Sequence, residues 1–405
     1  MNVNSNRLNY ILVFVCKIIA AGTGFLTSIL IANSLSSLES GVYFWFTALM
    51  TIILPLSSFC LQIPVMKIFA SNARVGINLI YVICIGLFLW GVGLACIVFI
   101  LGEELIDNFD YEWYLFGAIP AFAMLNVVSS SIQGRSYHLY SLIFQSLLPA
   151  FFLIAFIFFS PANVEYYLLS YLSSIILSLL IFLPSLRAKI SAGETLCFLE
   201  IQKIFKSGAS LLFPSIIIVL SSNIGILLLG LYEKLHDVTV LSLIIKITLV
   251  ITFILQAFSR VVSPNLAKII GTASYSEVVS TYVNCIKDIL KVSLPIYFFM
   301  LFFSDDIMML FGDKLEGEYL PYFSVLTIQM INCLTGPVGH IIILNEDESL
   351  YRKYNIISFV LASPSLFFVY YWGVWSAILF MAILIVSNNF LFLKYFYREF
   401  YVKQK

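Results

Sequence analysis

The 405-residue sequence balances 22 Lys+Arg against 22 Asp+Glu, is 61% hydrophobic and only 11% charged, and has a mean hydropathy of +1.00. No water-soluble globule of this length has interior enough to hide that apolar surface, so the solvent is lipid and the bilayer is the first partner. Zero net charge and the lack of a basic run exclude nucleic acid.

Apolar runs long enough to cross a hydrocarbon core recur along the whole chain, and the expected class is an all-α integral membrane protein of about twelve transmembrane helices. The first run continues to about Asn33 without a small-residue cleavage site and reads as a retained helix. The first six spans fall approximately at residues 8–33, 42–66, 77–101, 113–134, 138–160 and 165–184. The next six fall approximately at 207–231, 239–262, 281–303, 320–343, 353–372 and 374–394. The longest polar break, Ser185 to Lys206, divides them six and six and gives an N-terminal lobe of residues 1–190 and a C-terminal lobe of 191–405. Prolines in or beside the spans, Pro55, Pro64, Pro149, Pro214 and Pro337 among them, predict kinks. None of the cysteines, Cys197 included, is placed for an extracytoplasmic disulfide.

Positively charged loops resist translocation, which gives the orientation. Lys67, Arg74, Arg135, Arg187, Lys189, Lys203, Lys206, Arg260, Lys268, Arg352, Lys353 and the tail lysines fall on one side. The other side has Lys234 and Lys314 amid Glu39, Glu103, Glu104, Asp107, Asp110, Glu112, Asp305 and Asp306. Both termini are therefore expected in the cytoplasm.

An ionisable group at mid-span costs at least about 2.5 kcal/mol unless it faces protein or water. Two residues meet that description. Lys17 lies about two turns into the first span beside Ala20, Ala21, Gly24 and Ser28, and Lys246 lies in the eighth with Ser242, Phe253, Ala257 and Arg260 at helical spacing. Snorkelling of the ammonium to the interface is the alternative for both. Lys67 and Arg135 end the second and fourth spans and are weaker substrate candidates. Asn126, Ser130 and Gln133 share a face of the fourth span, Gln329, Asn332 and Gly336 one of the tenth, and Asn223 stands near a row of small residues in the seventh. Such rows line hydrophilic passages or pack helices together. Adjacent carboxylates such as Glu103-Glu104 suit a metal-dependent transferase, but no loop is long enough for a catalytic domain. His138, His236 and His340 lack ligand spacing. A transporter is expected, with no cofactor.

The junction Leu35-Ser36-Ser37-Leu38-Glu39-Ser40-Gly41-Val42-Tyr43 resembles the "Leu-Gly, spacer, Gly-x-Tyr" link between the first two helices of polysaccharide exporters. Asn223 to Gly230, then Lys246 and Val262-Ser263-Pro264-Asn265-Leu266-Ala267, look like the seventh and eighth helices of that family. The chain resembles the O-antigen and polysaccharide flippases of the multidrug/oligosaccharidyl-lipid/polysaccharide exporter superfamily. It departs from them at Asn223, often acidic in the family, and at Val240-Leu241-Ser242, where Gly-x-Tyr is usual.

The resemblance implies two six-helix lobes around a central cavity in the bacterial inner membrane, working by alternating access. The implied cargo is undecaprenyl-pyrophosphate-linked oligosaccharide, and the implied partners are the polysaccharide polymerase and chain-length machinery. Lys17 and Lys246 are then expected to attract the pyrophosphate. A multidrug antiporter of the same superfamily is the nearest competing expectation, and a membrane polymerase or glycosyltransferase a more distant one.

Overall fold

The computed structural model describes residues 3–71, 75–105, 113–190, 198–270, 275–345 and 347–401. Arg74, Asp107, Asp110, Glu112, Cys197, Lys403 and Lys405 lie outside the described residues, as do the side chains of Glu103, Glu104, Arg187, Lys189, Arg260 and Lys268. The described chain is all-α. It forms two compact units, residues 1–219 and 220–405.

The first unit holds α1 (Val3–Ser34), α2 (Ser37–Ser57), α3 (Gln62–Ser71), α4 (Ile77–Leu105), α5 (Trp113–Gly134), α6 (His138–Leu142), α7 (Leu148–Phe159), α8 (Val164–Lys189) and the start of α9 (Phe198–Leu231). The Leu35–Tyr43 junction is a capping box. Ser36 Oγ accepts the Glu39 N–H at 3.2 Å and Glu39 Oε2 accepts the Ser36 N–H at 3.0 Å, so α2 starts sharply. Its following aromatics, Tyr43 and Phe46, meet Tyr171 of α8 edge to face. A second cluster under α3 joins Leu61, Phe69, Val75, Ile83, Ile132 and Phe182.

Two prolines shape this unit. The expected second span, 42–66, is broken. Pro64 lacks an N–H and its ring excludes the Cys60 carbonyl, and the chain between α2 and α3 puts Phe59 (φ 51°) and Cys60 (φ 49°) in the left-handed region. The freed groups find partners: Trp90 Nε1 donates to Leu56 O at 2.9 Å, and Cys60 N donates to Pro55 O at 3.1 Å. Gly208 of α9 lies so close to Phe59 O and Leu61 that no side chain fits there. Pro149 acts likewise on Gln145, and the helix widens into a π turn at Ile143–Leu147 between α6 and α7.

The second unit continues α9 and adds α10 (Leu235–Ile270), α11 (Tyr275–Phe302), α12 (Ser304–Met309), α13 (Tyr319–Thr335), α14 (Val338–Leu344), α15 (Glu348–Ala362), α16 (Val369–Trp372) and α17 (Val374–Phe396). One buried cluster there joins Leu266, Tyr282, Val338, Ile342, Phe392 and Phe396. Pro337 and Gly336 (φ 62°) bend α13 against α14 by 44°. The carbonyl of Thr335 at that bend accepts the Tyr282 hydroxyl at 2.5 Å.

Among the described residues ten helices are long and apolar enough to cross a membrane, and α13 with α14 makes an eleventh. The remaining expected span, the ninth at 281–303, falls on α11. Its 28 residues reach about 42 Å, ample for a crossing. Lys287, Asp288 and Lys291 interrupt its apolar run, so it does not qualify on composition. The expected span 281–303 thus adds three ionisable groups to the two that sequence reading singled out, Lys17 and Lys246. α11 begins at Tyr275, which sets these three residues well inside the helix rather than at its mouth.

Candidate functional site

In the first unit the focus is α1 and the helices it packs against, α6, the π turn and α7. Lys17 is half-buried. On the same helix Gly22 and Gly24 border open space, while Ser28 is buried and donates to Gly24 O at 2.9 Å. Thr23 and Thr27 likewise donate to carbonyls of their own helix, to Ala20 O and Thr23 O. The ammonium of Lys17 is thus the strongest donor on this face. The π turn turns Gln145 toward α5, where its Nε2 donates to Asn126 Oδ1 at 2.7 Å; Asn126 Nδ2 donates to Phe122 O. Sequence reading singled out Asn126 but missed Gln145, because a π turn shifts the helical register that spacing assumes.

Gln133 and Lys67 are exposed on α5 and α3. Arg135 sits just past α5, its Nη2 donating to Val75 O at 2.5 Å and its guanidinium 5.4 Å from the Phe69 ring centroid. Gly134 lies so close to Met66 O that the two helices touch backbone to backbone. Arg135 thereby ties α3, α4 and α5 together. Arg135→Ala removes a charge-assisted hydrogen bond and a cation–π contact and is expected to destabilise the protein by about 2 to 3 kcal/mol. Thermal unfolding in detergent measures this, and an unchanged midpoint would contradict it.

In the second unit Lys246 is half-buried on α10, one turn from the buried Ser242. The exposed residues that follow at helical spacing are Leu249, Val250 and Gln256. Gln256 adds a polar group to the row that sequence reading missed. Between Val238 and Ser259 α10 carries no carboxylate, and α1 has none at all. Each unit thus places one half-buried lysine within a helix long and apolar enough to cross a membrane.

A belt of amide and hydroxyl contacts crosses the same unit. Thr252 donates to Gln329 Oε1 at 2.9 Å, Asn389 Nδ2 to Asn332 Oδ1 at 3.2 Å, and Asn388 Nδ2 to Asn355 Oδ1 at 3.4 Å. It links α10 to α13, α13 to α17 and α17 to α15. Gln329 and Asn332 thus come together with partners that spacing along one helix does not reveal. Asn223 is half-buried on α9.

Residues 211–337, from α9 to the α13–α14 bend, match the MatE family. No curated protein sequence matches the chain. Among solved structures the chain is similar to a MATE family multidrug resistance transporter of the MOP superfamily in an inward-facing conformation, with 11% identity and a TM-score of 0.73 over 92% of each chain. It is also similar to the lipid II flippase MurJ in an inward closed conformation, with 13% identity and a TM-score of 0.70 over 95% of this chain and 87% of that one. A third is a MOP superfamily transporter from Pyrococcus furiosus described as having a binding pocket of reverse polarity, with 13% identity and a TM-score of 0.58 over 98% and 96%. The fold is that of MOP superfamily transporters, and the protein is a multi-pass membrane protein.

Proposed function

We propose that this protein is a transporter, not an enzyme, that moves undecaprenyl-pyrophosphate-linked oligosaccharide, an O-antigen or related surface-polysaccharide repeat unit, from the cytoplasmic to the periplasmic leaflet of the bacterial inner membrane, with both termini cytoplasmic. The observation that carries this reading is the placement of Lys17 and Lys246, each half-buried within a helix long and apolar enough to cross a membrane. An anionic pyrophosphate pays several kcal/mol to enter low dielectric, and fixed ammonium groups lower that barrier as point charges that demand no single geometry. The isoprenoid tail stays in lipid while Gln256, Asn126 and Gln329 are the kind of groups that sugar hydroxyls bond. An inside-negative potential drives an anion outward by roughly 2.3 kcal/mol per charge per 100 mV.

The match of residues 211–337 to the MatE family favours a second reading, a multidrug antiporter for organic cations. The two differ in the sign of the cargo's charge. The test is translocation of a fluorescent undecaprenyl-pyrophosphate oligosaccharide in proteoliposomes under an imposed potential, run beside efflux of an organic dye cation. Potential-driven movement of the lipid supports the flippase; dye efflux with a stationary lipid overturns it in favour of the antiporter.

A further inference from the structure

α11 has one buried and one exposed face. Tyr282, Cys285, Ile289, Ser293 and Met300 face the protein. The opposite face is exposed along its length and changes character halfway: Asn284, Lys287, Asp288 and Lys291 at one end, Phe298 and Phe302 at the other. The aromatic half has no cover among the described residues, as expected of a face turned to hydrocarbon, and the charged half belongs to the same face.

Depth makes this unusual. Phe302 is followed by Ser304, Asp305 and Asp306, which fixes the polar boundary at that end. From Phe302 back to Val292 the helix covers about 16 Å, roughly half of a 30 Å hydrocarbon core. Lys291, with its side chain 73% exposed, Asp288 at 52% and Lys287 follow at once. Lys291 Nζ donates to Asp288 Oδ1 at 2.7 Å, and Lys287 and Lys291 share the face one turn apart, so the trio is net cationic.

We propose that this stripe is a binding site for the head group of an anionic phospholipid in the leaflet on the Tyr275 side, the cytoplasmic leaflet in the orientation proposed above. Phosphate oxygens drawn toward Lys287 and Lys291 satisfy ammonium groups that would otherwise sit in hydrocarbon, and Asn284 supplies an amide donor beside them. The acyl chains run from there along Val292 toward the middle of the bilayer. Asp288 competes with the phosphate for Lys291 and sets the strength of the site. The site is independent of the cargo and holds for a flippase or a drug antiporter alike.

The experiment is reconstitution of the full chain in bilayers of equal phosphatidylglycerol and phosphatidylcholine, with gentle extraction and counting of retained lipids by native mass spectrometry. The wild type is expected to retain phosphatidylglycerol over phosphatidylcholine by about threefold or more, and Lys287→Gln/Lys291→Gln to lose the preference. Lys353→Gln, an exposed lysine elsewhere, keeps it. Asp288→Asn is expected to retain more phosphatidylglycerol than the wild type, which decides the matter even if the double variant fails to fold. Equal lipid preference in wild type, Lys287→Gln/Lys291→Gln and Asp288→Asn overturns the site. Efficient cross-linking of two chains through Asn284→Cys in the same bilayers also overturns it, since a second copy would then cover the stripe.

Discussion

Lys17→Ala and Lys246→Ala are each expected to slow translocation of the pyrophosphate-linked oligosaccharide by about 10- to 100-fold while leaving the amount of protein in the membrane unchanged. The size follows from a charge-assisted interaction of about 1.5 to 3 kcal/mol, since each 1.4 kcal/mol is a factor of ten. From Val15 to Ser34 of α1 and from Leu235 to Ser259 of α10 the sequence has no second Lys or Arg, so no such residue within those stretches replaces the lost charge. Arginine substitutions report on what the ammonium does. If the role is a mobile point charge, Arg retains charge but imposes a planar fork, and partial activity is expected. If the lysines merely snorkel to the interface, Arg and Gln serve equally and both variants flip at the wild-type rate.

The same variants separate the two candidate cargoes by the direction of the effect. An organic cation is repelled by Lys17 and Lys246, so neutralising them would raise its transport. Faster dye efflux from Lys17→Ala together with unchanged lipid movement would remove the flippase assignment and leave the fold intact.

How far the sequence could be read depended on the range of the interaction. Membrane spans are local patterns, and they were legible; the Leu35–Tyr43 junction was singled out too, though not as the capping box that it forms. The presence of Pro64, Pro149 and Pro337 was legible too, but the response of the chain was not. One proline gives a left-handed break at Phe59–Cys60, one a π turn, and one a 44° bend. What decides among them is where the freed carbonyls find donors, such as Trp90 for Leu56 and Tyr282 for Thr335, and those donors lie 34 and 53 residues away.

Site residues divide along the same line. Lys17 and Lys246 stand out because charge is expensive in hydrocarbon wherever the neighbours are. Gln145, Thr252 and Asn389 acquire meaning only from partners on other helices. The charged stripe of α11 was obscured for another reason. The span expected at 281–303 already holds Lys291 as far from its start as Lys17 is in the first, but the face that the charges share shows only in the burial pattern of α11. The exposed aromatic end of the same face shows how far from that end of the bilayer they sit.

Gly373→Ala is expected to destabilise the second unit by about 3 kcal/mol or more, from two sources that can be measured apart. Gly373 holds φ 51° and ψ −129° immediately before α17, a conformation that costs an L-residue about 1 to 3 kcal/mol. A methyl group there would also fall on Asp237 Oδ2, with Lys234 Nζ 3.5 Å away. That carboxylate oxygen accepts the Val374 N–H at 3.1 Å, so a residue in the first turn of α10 caps the first turn of α17. Pushing Asp237 aside removes the cap as well as creating the overlap. Asp237→Ala alone is expected to cost about 1 to 2 kcal/mol, the usual loss for a helix cap. In the double variant the overlap has no partner, so its loss should fall below the sum of the two single losses, leaving mainly the backbone strain and the missing cap. Equal additivity in unfolding midpoints would mean that Gly373 is required for its dihedral angles alone. A Gly373→Ala protein as stable as the wild type would show that α17 starts without Asp237.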